Sequence, residues 1–452
     1  GDALTTGYYN TALGYQALSS SQTGRNAVAI GYQALMTEAS TNTETYNVAV
    51  GYRAGYLVST GVQNVFIGGS AGGAYTTGGQ SVGIGFEALS TEDDHGGSTA
   101  IGYRALKMQD SGAANKNVAV GYDAGTNVTT GVESVFIGGG AGDAVTTASA
   151  NVAIGYNALS TEDTMGNNVA VGYKALQDLN AGENGNTVAI GAEAGRRLST
   201  GVKNTIVGAL AGDHLTSGNY NVAIGYQALT LEDAHGRNVA VGYNTLRDLN
   251  AGADAYNIAI GYEAGKTVST GIRNVLIGGD AGITMTSASY NIAIGYNALG
   301  DEITNSHNVA IGDASMSSSE YSAKNVAIGS NTLQNVTNGS STDTYNTAIG
   351  YNAGMNITTA IRNVLVGGLA GDSLTEGAYN TAVGMFALST EDANAGNTAI
   401  GYAALEQQNA GADVYNTAVG YATGSTITTG GYNTLMGGFT GDALTTGADN
   451  VA

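Results

Sequence analysis

No cysteine, proline or tryptophan occurs in the 452 residues of this chain, and only 11% of them are charged. Without cysteine there are no disulfides and no thiolate metal or redox sites, and nothing in cysteine usage marks a compartment. Without proline nearly every residue keeps its N–H, as a chain committed to ladder bonding requires. The same absence excludes collagen, since there is also no Gly-X-Y period. Lys and Arg total 15 against 36 Asp and Glu, a net charge of −21. That balance offers no basic stripe for nucleic acid and disfavours an anionic membrane surface. No apolar run approaches the ~20 residues of a membrane span, and no signal peptide is visible. No membrane insertion is therefore expected of this segment.

What is abundant is glycine, 71 residues, and repetition. The phrase Asn-Val-Ala-Ile-Gly-Tyr returns in small variations from Asn10, Asn47, Asn64 and Asn151 to Asn416 and Asn433, mostly at steps of 17 residues. A unit this short cannot bury an apolar face alone and must stack on its neighbours. The chain is therefore expected to be all-β, a parallel β-solenoid of about 25 coils, continuous over residues 1–452. At ~4.8 Å per coil such a rod would extend roughly 120 Å. Gly1–Gly7 and Gly441–Gly447 repeat one another and cut the repeat at one phase, which reads as a segment of a longer fibre.

Taking Asn151 as place 1 of a coil, Val152 and Ile154 at places 2 and 4 share a face, the period-two sign of a strand, and Ala153 points the other way. Gly155 permits a sharp bend, and 156–159 is expected to be a second short strand before a polar loop. Place 1 is usually Asn, including Asn47, Asn117, Asn151, Asn221, Asn291 and Asn397, and stacking would align these into an amide ladder. Place 5 supplies the corner glycines Gly51, Gly121, Gly155, Gly225, Gly295 and Gly401.

Coils fall into sets of four, a super-repeat of about 70 residues. Large residues at place 3 accompany glycine at place 6 (Phe66 with Gly69, Phe136 with Gly139), whereas Ala49 accompanies Tyr52, so the two places are expected to share one packing layer. Leu at place 9 accompanies a polar residue at place 12 (Leu89 with Glu92), and Gly at 9 an apolar one (Gly55 with Val58), as if one core slot were filled from either side of a corner. Each coil has little apolar bulk, so the Ala and Tyr layer of places 3 and 6 is expected to face another chain in a parallel homotrimer.

The run Asn/Ser-Val-Ala-Ile-Gly resembles the head repeat of YadA-like trimeric autotransporter adhesins. Asn-Thr-Ala-Ile-Gly-Tyr-x-Ala-Leu, as at 397–405, is similar to repeats of bacteriophage tail fibre proteins. The likeness covers essentially the whole chain, as at 221–229 and 291–299. It implies a left-handed β-roll, three chains associated along their length, and an extracellular place on a virion tail fibre or bacterial surface. Here the coil is longer than the family's usual head repeat, with the extra residues in the polar loop. No coiled-coil stalk, anchor barrel or chaperone domain is present to separate adhesin from tail fibre.

Chemistry-bearing motifs are sparse. Gly83-Ile84-Gly85-Phe86-Glu87-Ala88 matches a dinucleotide-like G-x-G-x-x-A, but no helix follows, so no cofactor is expected. Acidic loops recur at Glu92-Asp93-Asp94, Glu162-Asp163, Glu232-Asp233, Asp301-Glu302 and Glu391-Asp392. Asp93, Asp163, Asp233 and Asp392 are the Ca²⁺ candidates by their oxygen donors, against a reading as solvated loops that keep the surface soluble. Asp143, Asp213, Asp372 and Asp442 recur at place 10. His95 and His235 hold equivalent places, as duplication would give, and no grouping points to an enzyme. The longer loops at 37–46 and 325–345 are Ser, Thr and Asn rich and read as surface loops, with glycan contact a minor alternative. Paired threonines such as Thr129-Thr130 and Thr358-Thr359 raise ice binding as a remote alternative, without a continuous file. The leading expectation is a structural shaft that carries a receptor-binding tip. The alternative is an adhesin or self-assembling filament that binds surfaces itself, including host glycans.

Overall fold

The computed structural model describes all residues except 42, 43, 113, 163 and 183, with backbone alone at 338–342. It forms two units, Gly1–Ala223 and Ile224–Ala452, each built on one plan. Among the described residues there is no helix. Each coil contributes one three-residue strand, such as Val152–Ile154. Strands pair in parallel without register drift: Val152 faces Val135 and Val169, and Ala153 faces Phe136 and Ala170. This is a parallel β-solenoid of about 17 residues per turn.

The segment expected to be a second strand is a turn. Asn157 and Leu159 adopt φ of 51° and 52°, left-handed conformations incompatible with an extended strand. The turn still bonds to adjacent coils, with Asn157 N–H donating to Gly139 O at 3.0 Å and Leu159 N–H to Ala175 O at 3.0 Å. The corner glycine is required by space as well as torsion. Gly155 has φ 135°, and a Cβ on it would lie 2.2 Å from Gly172 O of the next coil. The same holds at Gly51, Gly121, Gly225, Gly295 and Gly401, each facing the next coil's corner carbonyl.

Two packing expectations need correction. Place 3 points into the coil, where Ala153 and Phe136 are fully buried, while Tyr156 at place 6 is exposed. Places 3 and 6 therefore do not share a layer, and Ala at place 3 cannot face another chain. The bulk at place 3 answers glycine at place 9 instead. A Cβ on Gly142 would lie 2.2 Å from the Phe136 ring, and one on Gly125, a coil earlier, 2.9 Å from it. Leu365 likewise lies against Gly354 and Gly371, and Leu276 against Gly265 and Gly282. Two successive coils lacking a place-9 side chain leave a gap that one large residue fills. Val58 approaches the Gly55 position at 3.3 Å, as a shared slot would have it, yet Leu176 and Leu179 fill both places in a single coil.

The longer 325–345 step is also more than a loop. Glu320–Ala323 and Thr337–Asp343 pair in parallel as a separate two-stranded sheet. The 37–46 loop includes residues outside those described; within it the backbone of Glu44 pairs with that of Arg25 in an isolated parallel β-bridge.

Candidate functional site

Asparagine runs inside and tyrosine outside from coil to coil, and a buried glutamate recurs inside about every fourth coil. The asparagine side chains mostly bond backbone rather than each other. Asn151 Nδ2 donates to Met165 O at 3.0 Å, and its Oδ1 accepts the Asn168 N–H at 3.0 Å. Asn47 and Asn117 do the same with Gly61 O and Gly131 O, and with the N–H groups of Asn64 and Ser134. Asn291 repeats the pattern on Asn305 O and the Asn308 N–H. The Asn221 N–H donates to Asn204 Oδ1, and Asn397 Oδ1 accepts from Asn416. Amide-to-amide contacts occur at some steps, such as Asn274 Nδ2 to Asn257 Oδ1 at 3.2 Å. Asn151→Ala is expected to strip the buried Asn168 N–H of its partner, at ~1–3 kcal/mol, and the half-buried Met165 carbonyl of its own at less than that. Faster amide exchange at Asn168, with distant coils unchanged, is the check.

The buried glutamates were not foreseen. Glu92, Glu162, Glu232, Glu302 and Glu391, all at place 12, are fully buried, as is Glu38. They are not part of the solvated loops that follow them. In five of them Oε1 accepts the N–H three residues on, from His95, Met165, His235, Asn305 and Asn394. Glu92 Oε2 also accepts from Gln109 and Asn115, and Gln109 in turn bonds Ser98 and Asn117. The Oε2 atoms of Glu302 and Glu391 are buried without a hydrogen-bond partner. Burial pushes Glu38 and Glu302 up to about 7, and raises Glu92, Glu232 and Glu391 as well. The available signal was position: place 12 is Val, Leu, Ile or Met in most other coils, as at Val58, Leu179, Met285 and Ile357.

The Ca²⁺ candidates divide. Asp93 comes within 4.8 Å of Glu92 and Asp110 by its donor atoms, and Asp233 similarly of Glu232 and His235. Asp163 lies outside the described residues, and Asp392 joins no such cluster among them. In both clusters the buried glutamate already holds a backbone N–H, and burial raises its pKa, which works against ligation. The dinucleotide-like stretch is an ordinary strand, Val82–Ile84, and its corner. Thr129 and Thr358 spend their hydroxyls on the carbonyls of Thr146 and Thr375 in the next coil.

The outer face carries places 2, 4 and 6. Ile and Val at places 2 and 4 are half-exposed or exposed, Ile190 at 42% among them. Tyrosines at place 6 stack ring on ring: Tyr15, Tyr32 and Tyr52 at 5.3 and 5.4 Å, and Phe86, Tyr103 and Tyr122 at 5.6 and 5.0 Å. In the second unit Tyr226, Tyr243 and Tyr262 follow at 5.6 and 5.3 Å. The file breaks where place 6 is glycine. At Gly139 the break opens a cleft of about 350 Å³ lined by Tyr122, Asp123, Gly140, Asp143, Tyr156 and Asn157.

No protein-family model matches the chain, and no curated protein matches it in sequence.

Proposed function

We propose that this chain is shaft material: a stiff extracellular solenoid of a phage tail fibre or bacterial surface fibre that holds a receptor-binding element at a distance. The observation that supports this most is the regular register of the main strands within each unit, in which the described coils spend backbone bonds, and asparagine bonds where place 1 is Asn, on their immediate neighbours. Bending or cleaving such a stack means opening several bonds together. We further propose that the roll is left-handed and that the chain associates as a parallel homotrimer, as the family resemblance implies. The contact face differs from the one the residue pattern suggested. Alanine at place 3 is spent in the coil interior, so association would use the Val and Ile stripe of places 2 and 4. A contiguous apolar stripe on a soluble fibre favours a protein contact.

Sedimentation equilibrium of the native chain is expected to give three times the chain mass, and Ile190→Asp with Ile137→Asp to lower it. A monomer mass removes the trimer; a flexible, branched or globular outline in electron micrographs removes the shaft. A second reading, an adhesive surface, draws on the exposed tyrosine file. Strong selective binding of this segment on a glycan array would favour it over a purely mechanical role.

A further inference from the structure

We propose that the cleft at Gly139 binds one pyranose ring carrying a protonated amine, a hexosamine unit of an oligosaccharide. Neighbouring rings in the file stack at 5.0–5.9 Å, one ring per coil. Gly139 has no side chain, so Tyr122 and Tyr156 stand two coils apart, on the order of 10–12 Å at the spacing of the stacked rings, with the Tyr156 ring 3.6 Å from where a Gly139 Cβ would lie. That gap takes one saturated sugar ring, its C–H faces turned to tyrosine on both sides.

The floor sets the charge preference. Asp123 and Asp143 both line the cleft, and each has a buried Oδ1 with no hydrogen bond. The cation near them is Arg104, its Nε 3.8 Å from Asp123 Oδ1. Burial, and then the charge of Asp123, raise Asp143 above the usual carboxylate range. An ammonium group placed between the two carboxylates relieves that repulsion, and the Asn157 amide, which also lines the cleft, offers a partner for a hydroxyl.

Other breaks in the file lack this combination. At Gly279 the walls are Tyr262 and Tyr296, but Glu263 is held by Lys266 at 2.9 Å and Ile283 replaces Asp143. At Gly69 one wall is Phe86 and Arg53 stands where Asp123 does. The cleft lies beyond the corner glycine from the place 2 and 4 stripe. The inference does not depend on the trimer.

The test is titration calorimetry of the full chain with a glucosamine tetramer, an N-acetylglucosamine tetramer and a glucose tetramer, at a pH where the free amine is protonated. The expected result is saturable binding of the glucosamine oligomer at one site per chain, with the two neutral oligomers weaker by about tenfold or more. Gly139→Tyr, which continues the stack as Tyr103 and Tyr122 do, is expected to abolish binding with the fold intact. Asp143→Asn is expected to remove the preference for the free amine. Tyr156→Ala, on an exposed side chain, gives an independent loss should Gly139→Tyr disturb the stack. Equal binding of all three oligomers, no saturable binding, or binding that survives both Gly139→Tyr and Tyr156→Ala would overturn the proposal. Sedimentation of the same samples separates this failure from a failure of the shaft reading.

Discussion

Phe136→Ala is expected to destabilise its region by about 3–5 kcal/mol, and adding Gly142→Leu to return much of that loss. Phe136 fills the space that Gly125 and Gly142 leave, and a Cβ on Gly142 would lie 2.2 Å from its ring. Truncation alone therefore opens a cavity between two coils that both lack a place-9 side chain. The double variant reproduces a combination the chain already uses, since the coil from Asn325 has Ala327, Leu333 and Val336 all fully buried. Leu at place 9 tolerates the local backbone, with φ 52° at Leu159 against 58° at Gly142. Gly142→Leu alone should be worse than wild type, because Phe136 still occupies the space. A stack opens locally, so amide exchange across coils 117–167 reports the change better than one melting temperature. A double variant no more protected than Phe136→Ala would show that places 3 and 9 do not share this volume.

Thermal stability is expected to rise as pH falls from neutrality toward 5, the reverse of ordinary acid denaturation. Burial holds Glu302 and Glu38 at about 7, well above the 4.5 expected in the unfolded chain. The folded state therefore binds more protons between those values, and stability falls as pH rises through that window. Below about 4.5 the stabilisation is fully present; above about 7 it is lost. Each carboxyl contributes on the order of 3 kcal/mol across the window. Glu92, Glu232 and Glu391 shift in the same direction. Relief of the net charge of −21 acts the same way, so the discriminating measurement is substitution. Glu302→Gln, a neutral residue of the same shape, is expected to flatten the pH dependence locally and to stabilise at pH 8. A profile unchanged by Glu302→Gln and Glu38→Gln together would mean those carboxyls are not held neutral inside the coil.

Repetition made the architecture legible. Seventeen-residue spacing, glycine at place 5 and asparagine at place 1 each follow from stacking equal coils in register, where every residue meets its own counterpart. Any residue the backbone requires must then recur at the same place, as Gly155 and Gly172 do. Direction was less legible, because a three-residue strand such as Val152–Ile154 gives one side chain to one face and two to the other. Pattern alone assigns the branched pair to the core; in the structure place 3 points inward against place 9, and it takes glycine, alanine, or one large residue beside two place-9 glycines. The turn at 156–159 escaped prediction because Leu159 holds a left-handed conformation that its identity does not advertise.

The sequence by itself determined the class of fold, the coil length and the corner glycines, and with no cysteine it excludes thiol chemistry. These depend on composition and period, which survive any choice of which side faces in. Only the tertiary structure decided that place 12 is interior, turning what read as a solvated glutamate into a buried one, and that the tyrosine file lies outside with a gap at Gly139. Both outcomes depend on how a closed coil turns its residues relative to its axis, a property of the whole turn that no local pattern carries.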